Sequence, residues 1–214
     1  MLKRLKRLKS NKGFTLAELI VTIAVSTIII AATVGLFTPA MGLINSIKSN
    51  VNLDVMCDTA NEYIRSCLQG AGNVSVNSFD ITDLDSVKDE IDNIDVYDGY
   101  EVRALGYMGN RLYDFGAVTS SDIDSKIASY NDYRVFNNHF YGIVNYKLSF
   151  SSGSNGDERW ITLMGQCFEE SGSVANQGRS MSFKVLDARA AVTSNIDATK
   201  SNLIIIYTVY NPNP

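Results

Sequence analysis

The sequence predicts an α+β protein in which an apolar helical segment leads into an amphipathic helix, and that helix packs on an antiparallel β-sheet head. Three observations predict it. No residue between Glu18 and Lys48 is charged, an uninterrupted run of 29 residues. Beyond Gly42, apolar residues return at spacings of three and four. From about residue 100 onward, short alternating or β-branched runs are separated by turns rich in glycine, serine and asparagine. These runs lack the strand–helix rhythm that builds a parallel sheet, and a sheet covered by the amphipathic helix buries apolar residues of both.

The chain of 214 residues has room for one domain with a real core plus an N-terminal segment. Its charge is unevenly spread. Lys3, Arg4, Lys6, Arg7, Lys9 and Lys12 precede Gly13 with no acid among them, leaving 13 of the 19 basic residues against all 23 acidic ones. A body that acidic is poorly suited to nucleic acid, which needs clustered Lys and Arg, so no nucleic-acid contact is expected of the head. It suits a soluble, self-repelling domain outside the cell.

As a helix, the uncharged run reaches about 43 Å, more than the ~30 Å hydrocarbon core of a bilayer. Its apolar richness lies in residues 19–37, where Thr22, Ser26, Thr27 and Thr33 can satisfy their hydroxyls on helix carbonyls. The basic cluster lies on the N-terminal side, which puts the N-terminus in the cytoplasm and the residues beyond Phe37 outside. A secretory signal peptide has a shorter apolar core with a small-residue cleavage site on its far side. Only Ala32 or Ala40 weakly fits such a site here. The anomaly is Glu18, a carboxylate just inside an apolar run.

Basic residues, then "KGFTLAE", then an apolar helix: this order resembles the N-terminus of type IV pilins and pseudopilins. The resemblance covers residues 12–37, with helical character continuing to about Leu68. It implies a prepilin peptidase that cuts after Gly13 and methylates the new N-terminus at Phe14, with Glu18 as the fifth residue of the processed chain. It implies a pilin-like fold, a long N-terminal helix packed on an antiparallel head. The division is then residues 1–13 as a cleaved leader, 14–42 as a transmembrane and filament-core helix, and 43–214 as amphipathic helix plus extracellular head. Implied partners are the peptidase, an assembly platform with its ATPase, the membrane before assembly, and other pilin subunits afterwards. The expected role is a structural subunit, a minor pilin, of a bacterial surface filament, Gram-positive by the style of the motif. The alternatives are a pseudopilin of a secretion or DNA-uptake system, or an anchored binding protein that never polymerises and keeps its leader. The physics fits the first. The amine created on Phe14 can pair with Glu18 of a neighbouring subunit, whereas an anchor that kept its leader would leave Glu18 to reach for the membrane edge.

The family commonly has a proline near the middle of the apolar helix. This chain has Gly35 there, Pro39 four residues on and Gly42 beyond, so "GLFTPAMG" is expected to kink or melt the helix. The amphipathic helix follows: Ile44, Ile47, Val51 and Val55, then Met56, Ala60, Tyr63, Ile64, Cys67 and Leu68, form a drifting stripe. "QGAGN" stops it, with Gly70 or Gly72 in a left-handed cap. Residues 74–98 read as a polar, acidic stretch holding one short surface helix, on which Leu84, Val87, Ile91 and Ile94 share a face. Its acids miss the register of a calcium loop and read as a solvated face. "YEVRALGYM" and "RLYDFGAV" flank a "GN" hairpin turn. "SSDIDSKIASY" reads as a short helix capped by Ser120 or Ser121. "YRVFNN", "HFYGIVNYKLSF", "ERWITLMGQCF", "MSFKVLDAR" and "NLIIIYTVY" read as strands.

Three cysteines, Cys57, Cys67 and Cys167, are too few for a disulfide scaffold, and no Cys/His spacing suggests zinc. On one helix Cys57 and Cys67 stand about 15 Å apart, too far to bridge, so an intrachain disulfide must use Cys167. Cys67 lies nearer the centre of the expected stripe, which favours Cys67–Cys167; three separate buried thiols is the other reading. No catalytic apparatus emerges, and neither enzyme activity nor a cofactor is expected. His139 is the one histidine, there is no G-x-S-x-G or phosphate-binding loop, and nothing selects two acids as a glycosidase pair. The 11 tyrosines suit either an adhesive surface or ordinary strands.

Overall fold

The computed structural model describes residues 14–136, 144–154, 157–169, 178–197 and 199–212. The chain divides into two compact units, Met1–Lys48 and Ser49–Pro214. Helix α1, Leu16–Leu68, contributes to both. In the first unit it is apolar and bare, and Pro39 lies inside it without interrupting the assigned helix. Proline has no N–H to give the carbonyl four residues back, which belongs to Gly35, so the expected break amounts here to one missing hydrogen bond.

In the second unit, Leu53, Cys57, Ala60, Ile64 and Leu68 of α1 are buried. Their spacing of four, three, four and four is a helical face. The stripe expected from sequence ran partly along another face, since Val51 and Val55 are more than half exposed. The helix ends where "QGAGN" begins, but neither Gly70 nor Gly72 takes a positive φ. Gly72 is needed for room instead. Its N–H donates to Thr208 O at 2.8 Å, and a Cβ there would lie 2.7 Å from Thr208 Oγ1 and 2.9 Å from the Tyr100 ring.

Strand β1, Val74–Phe79, follows at once, then α2, Asp85–Asn93, the hairpin β2, Tyr100–Met108, and β3, Arg111–Ala117, and α3, Ile123–Ala128. A 3-10 turn, Tyr130–Tyr133, leads towards β4, Val144–Ser154, and β5, Asp157–Glu169. The remaining strands are β6, Arg179–Lys184, β7, Val192–Asn195, and β8, Asn202–Tyr210. They form two sheets rather than one: β3-β2-β8-β1-β7 and β4-β5-β6. Among the described residues all strand pairings are antiparallel except β1 with β7, where Val74 lies opposite Val192 and the strands run parallel.

Strand β8 explains its own sequence. Leu203, Ile205 and Tyr207 face the cluster that contains α1, while Ile204 and Ile206 face a second cluster with Val87 and Ile91 of α2 and Ile123 and Ile127 of α3. A strand covered on both faces must be apolar at every position, hence "LIIIY". The second sheet is covered on one face only: Tyr146, Leu148 and Phe150 are buried while Lys147, Ser149 and Ser151 are exposed. The "GN" turn is as expected, with Gly109 at φ 56° and Asn110 at φ 62°, the two positive values that match a tight hairpin to strand twist.

Three sequence expectations are corrected. β1 lies in the stretch read as polar and acidic, because Ser75 and Ser78 are buried and their hydroxyls are hydrogen-bonded to Glu90 and to Asp197 N. The residue preceding α3 is Asp122, not Ser120 or Ser121, and its carboxylate accepts from Thr119 N at 2.8 Å. "YRVFNN" begins as the 3-10 turn and a single bridge from Arg134 to Tyr113, with no strand among its described residues.

Candidate functional site

The N-terminal segment is built around one carboxylate. Glu18 Oε2 accepts from Thr15 N at 2.9 Å and from Thr15 Oγ1 at 3.0 Å, and Glu18 N donates back to Thr15 Oγ1 at 3.3 Å. This reciprocal T-x-x-E arrangement is a capping box, which satisfies helix N–H groups left without an intrahelical acceptor. It also places negative charge at the positive end of the helix dipole. Glu18 is thus held at the first turn of α1 by its own chain. Oε1 accepts no hydrogen bond among the described residues. Phe14, one residue before the box, is 80% exposed. Gly13 and the basic residues before it lie outside the described residues.

The helix that follows satisfies its polar atoms internally. Thr22 Oγ1 donates to Glu18 O at 2.7 Å, Ser26 Oγ to Thr22 O at 2.7 Å, and Thr33 Oγ1 to Ile29 O at 2.6 Å. Thr27 and Thr38 do the same further along. Residues Leu16–Asn45 form a helix long and apolar enough to cross a membrane, none of it buried within the chain. A surface of that kind calls for lipid or other apolar helices.

The head-side half of α1 is clamped between the two sheets. Towards the three-stranded sheet, Arg179 donates to both oxygens of Asp58, at 3.1 and 2.9 Å. Asn61 Nδ2 donates to Arg179 O at 3.1 Å, and Tyr146 Oη donates to Asn61 Oδ1 at 2.6 Å. Towards the five-stranded sheet, Tyr63 Oη donates to Asp114 Oδ2 at 2.6 Å. Burial and that carboxylate push the Tyr63 hydroxyl far above its usual range.

The cysteines follow the same division, and the expected Cys67–Cys167 pairing is not what the fold brings together. Cys67 contacts Tyr207 on β8, with burial pushing its thiol up. Cys167 on β5 contacts Cys57, and both are fully buried. Ten residues of helix are nearly three turns, so Cys57 and Cys67 point to different flanks and meet different sheets.

Elsewhere the acidic residues shape the backbone. Asp80 accepts from Thr82 N at 3.0 Å, Asp197 from Thr199 N at 2.9 Å, and Lys88 bridges to Asp124 at 2.6 Å. No group of three or more His, Cys, Asp or Glu suited to a metal ion occurs among the described residues. His139 lies outside them. Sequence reading missed the partnership of Thr15 with Glu18, although T-x-x-E before an apolar run is itself a recognised signal.

With this geometry in place, residues 8–34 match the family described as the prokaryotic N-terminal methylation motif. That match spans the basic residues before Gly13 and the first part of α1, and nothing of the head. No curated protein matches the sequence. Among solved structures, the PilB minor pilin from Streptococcus sanguinis is similar at 11% identity and a TM-score of 0.44, over 75% of this chain and 34% of that one. A mutant of the same pilin is similar at 14% identity and 0.43, over 72% and 33%. The chain therefore spans about a third of the length of those structures.

Proposed function

We propose that the chain is a minor pilin, a structural subunit of a type IV pilus-like surface filament, cut after Gly13 by a prepilin peptidase and assembled through its apolar helix. The observation that carries the reading is the methylation motif over residues 8–34 running into a membrane-length helix that begins with Glu18 in a capping box. Cutting after Gly13 turns the Phe14 amide into a positive amine. On a neighbouring subunit, that amine can take Glu18 Oε1 while Oε2 stays with Thr15. Two unit charges 4 Å apart attract by about 4 kcal/mol at an effective dielectric of 20. An intruding carboxylate left without a partner costs about 2.5–3.5 kcal/mol in lipid. The difference between paired and unpaired states sets the stagger of one subunit against the next.

Before assembly the helix anchors the chain in the membrane, with the basic leader cytoplasmic and the head outside. After assembly, identical or related helices pack in heterologous contacts that do not close, which generates a filament. An assembly platform and its ATPase supply the work. The size of the head, with two sheets, favours an occasional subunit over the repeated one. The test is the mass of the N-terminal peptide from membranes and from sheared surface material. A peptide beginning at Phe14 with one added methyl group, present in the sheared fraction, is expected. A chain that begins at Met1 in every fraction refutes the proposal and leaves an anchored binding protein. A processed form confined to membranes refutes filament incorporation and points to a pseudopilin.

A further inference from the structure

We propose that Cys57 and Cys167 form a disulfide that ties the head-side half of α1 to β5 in the exported protein. Both are thiols in this structure, not a disulfide, fully buried in the same core cluster and in contact with each other. Cys57 reaches β5 where Gly165 leaves room for it: a Cβ there would lie 2.9 Å from Cys57 Sγ. Cys167 stands two residues further along β5 and so faces the helix from the same side of the strand. Cys67 is turned away to β8 and Tyr207.

The bond forms by exchange with an external disulfide, carried by a thiol–disulfide oxidoreductase or a small disulfide. One cysteine thiolate attacks it, giving a mixed disulfide and releasing one carrier thiol. The second cysteine thiolate then displaces the other carrier sulfur. Two electrons and two protons pass from the cysteines to the carrier, which ends as two thiols. In the closed fold, the neighbouring thiol and burial push the Cys167 thiol well up, which suppresses the thiolate. Exchange therefore belongs to a stage before α1 closes on β5, and the finished bond is shielded from reductant. The loop it closes, roughly 110 residues, strongly restricts the unfolded chain. The inference rests on the proposed topology in one respect, that the head reaches an oxidising compartment.

The full chain from membranes and sheared material is denatured, alkylated without reductant, digested and weighed. The expected result is a Cys57 peptide linked to a Cys167 peptide, with Cys67 alkylated. Reduction should lower the Tm of the chain in detergent by on the order of 10 °C. Three alkylated thiols, or any link through Cys67, overturns the proposal. Equilibrating the purified chain with reduced and oxidised glutathione then locates the error. A Cys57–Cys167 link there, with thiols in cells, faults the compartment and the topology with it; thiols in both fault the geometry. Cys57→Ser, Cys167→Ser and the double variant add a second readout. Equal Tm losses in all three support the bond, and additive losses overturn it.

Discussion

Adding one methyl group at Gly165 tests how closely α1 sits on β5. A Cβ there would lie 2.5 Å from Asn61 Oδ1, 2.7 Å from the Tyr146 ring and 2.9 Å from Cys57 Sγ. All three are shorter than real Cβ contacts, and none of the three groups is free to swing away. Asn61 and Tyr146 are hydrogen-bonded to each other at 2.6 Å, and Cys57 is fully buried. The helix must therefore lift from the sheet or the Asn61 hydrogen bonds must break. Overpacking of this kind costs about 1–3 kcal/mol. For a head of this size each kcal/mol moves Tm by about 2–4 °C, so Gly165→Ala is expected to melt roughly 2–12 °C below the natural chain. Circular dichroism melting of the full chain in detergent measures it. Gly70→Ala is the control, since a Cβ at Gly70 meets nothing within 4 Å and its φ is not positive. If Gly165→Ala melts within a degree of the natural protein while Gly70→Ala behaves as expected, the close helix–sheet approach is wrong.

Other perturbations reach different parts of the molecule. Glu18→Ala should insert into membranes at least as well as the natural chain yet enter filaments poorly, which shearing followed by immunoblotting would show; normal incorporation removes the pairing argument. Tyr63→Phe deletes the hydroxyl that donates to Asp114, and should destabilise the head by about 1.5–3 kcal/mol in chemical denaturation, because the acceptor is charged. Asp187 is held down at about 2, from an ordinary 3.8, chiefly by hydrogen bonds from Arg189. A carboxyl depressed in the folded state contributes stability above its unfolded pKa and loses it as pH falls through the folded value. Asp187→Asn should therefore flatten the loss of stability between about pH 4 and pH 2, and an unchanged acid profile would show that the Arg189 contacts do not persist in solution.

What could be read in the sequence was local. The apolar run and the "GN" turn each depend on neighbours a few residues away; the T-x-x-E box is as local, yet it emerged only from the hydrogen bonds of Thr15 and Glu18. The face of α2 depends on a 3.6-residue period, and Val87 and Ile91 are buried as that period requires. Strand β8 was legible because burial on both faces leaves an unbroken apolar run. β1 was hidden for the opposite reason. Its serines are satisfied by Glu90 and by the backbone of Asp197, far along the chain, so their polarity mimicked a loop. The buried face of α1 is narrower than its apolar stripe, with Val51 and Val55 exposed, because the sequence does not say how many sheets will cover a helix or from which sides.

By itself, the sequence determined that a cluster of basic residues and a glycine precede a membrane-length apolar helix carrying one carboxylate, since each is a property of contiguous residues. Only the tertiary structure decided that the strands divide into two sheets, that β1 and β7 run parallel, and that Cys167 meets Cys57 rather than Cys67. It also decided that Gly72 and Gly165 serve close approach and not a turn. Those outcomes depend on which distant surfaces bury one another, and that choice is made by packing the whole head at once.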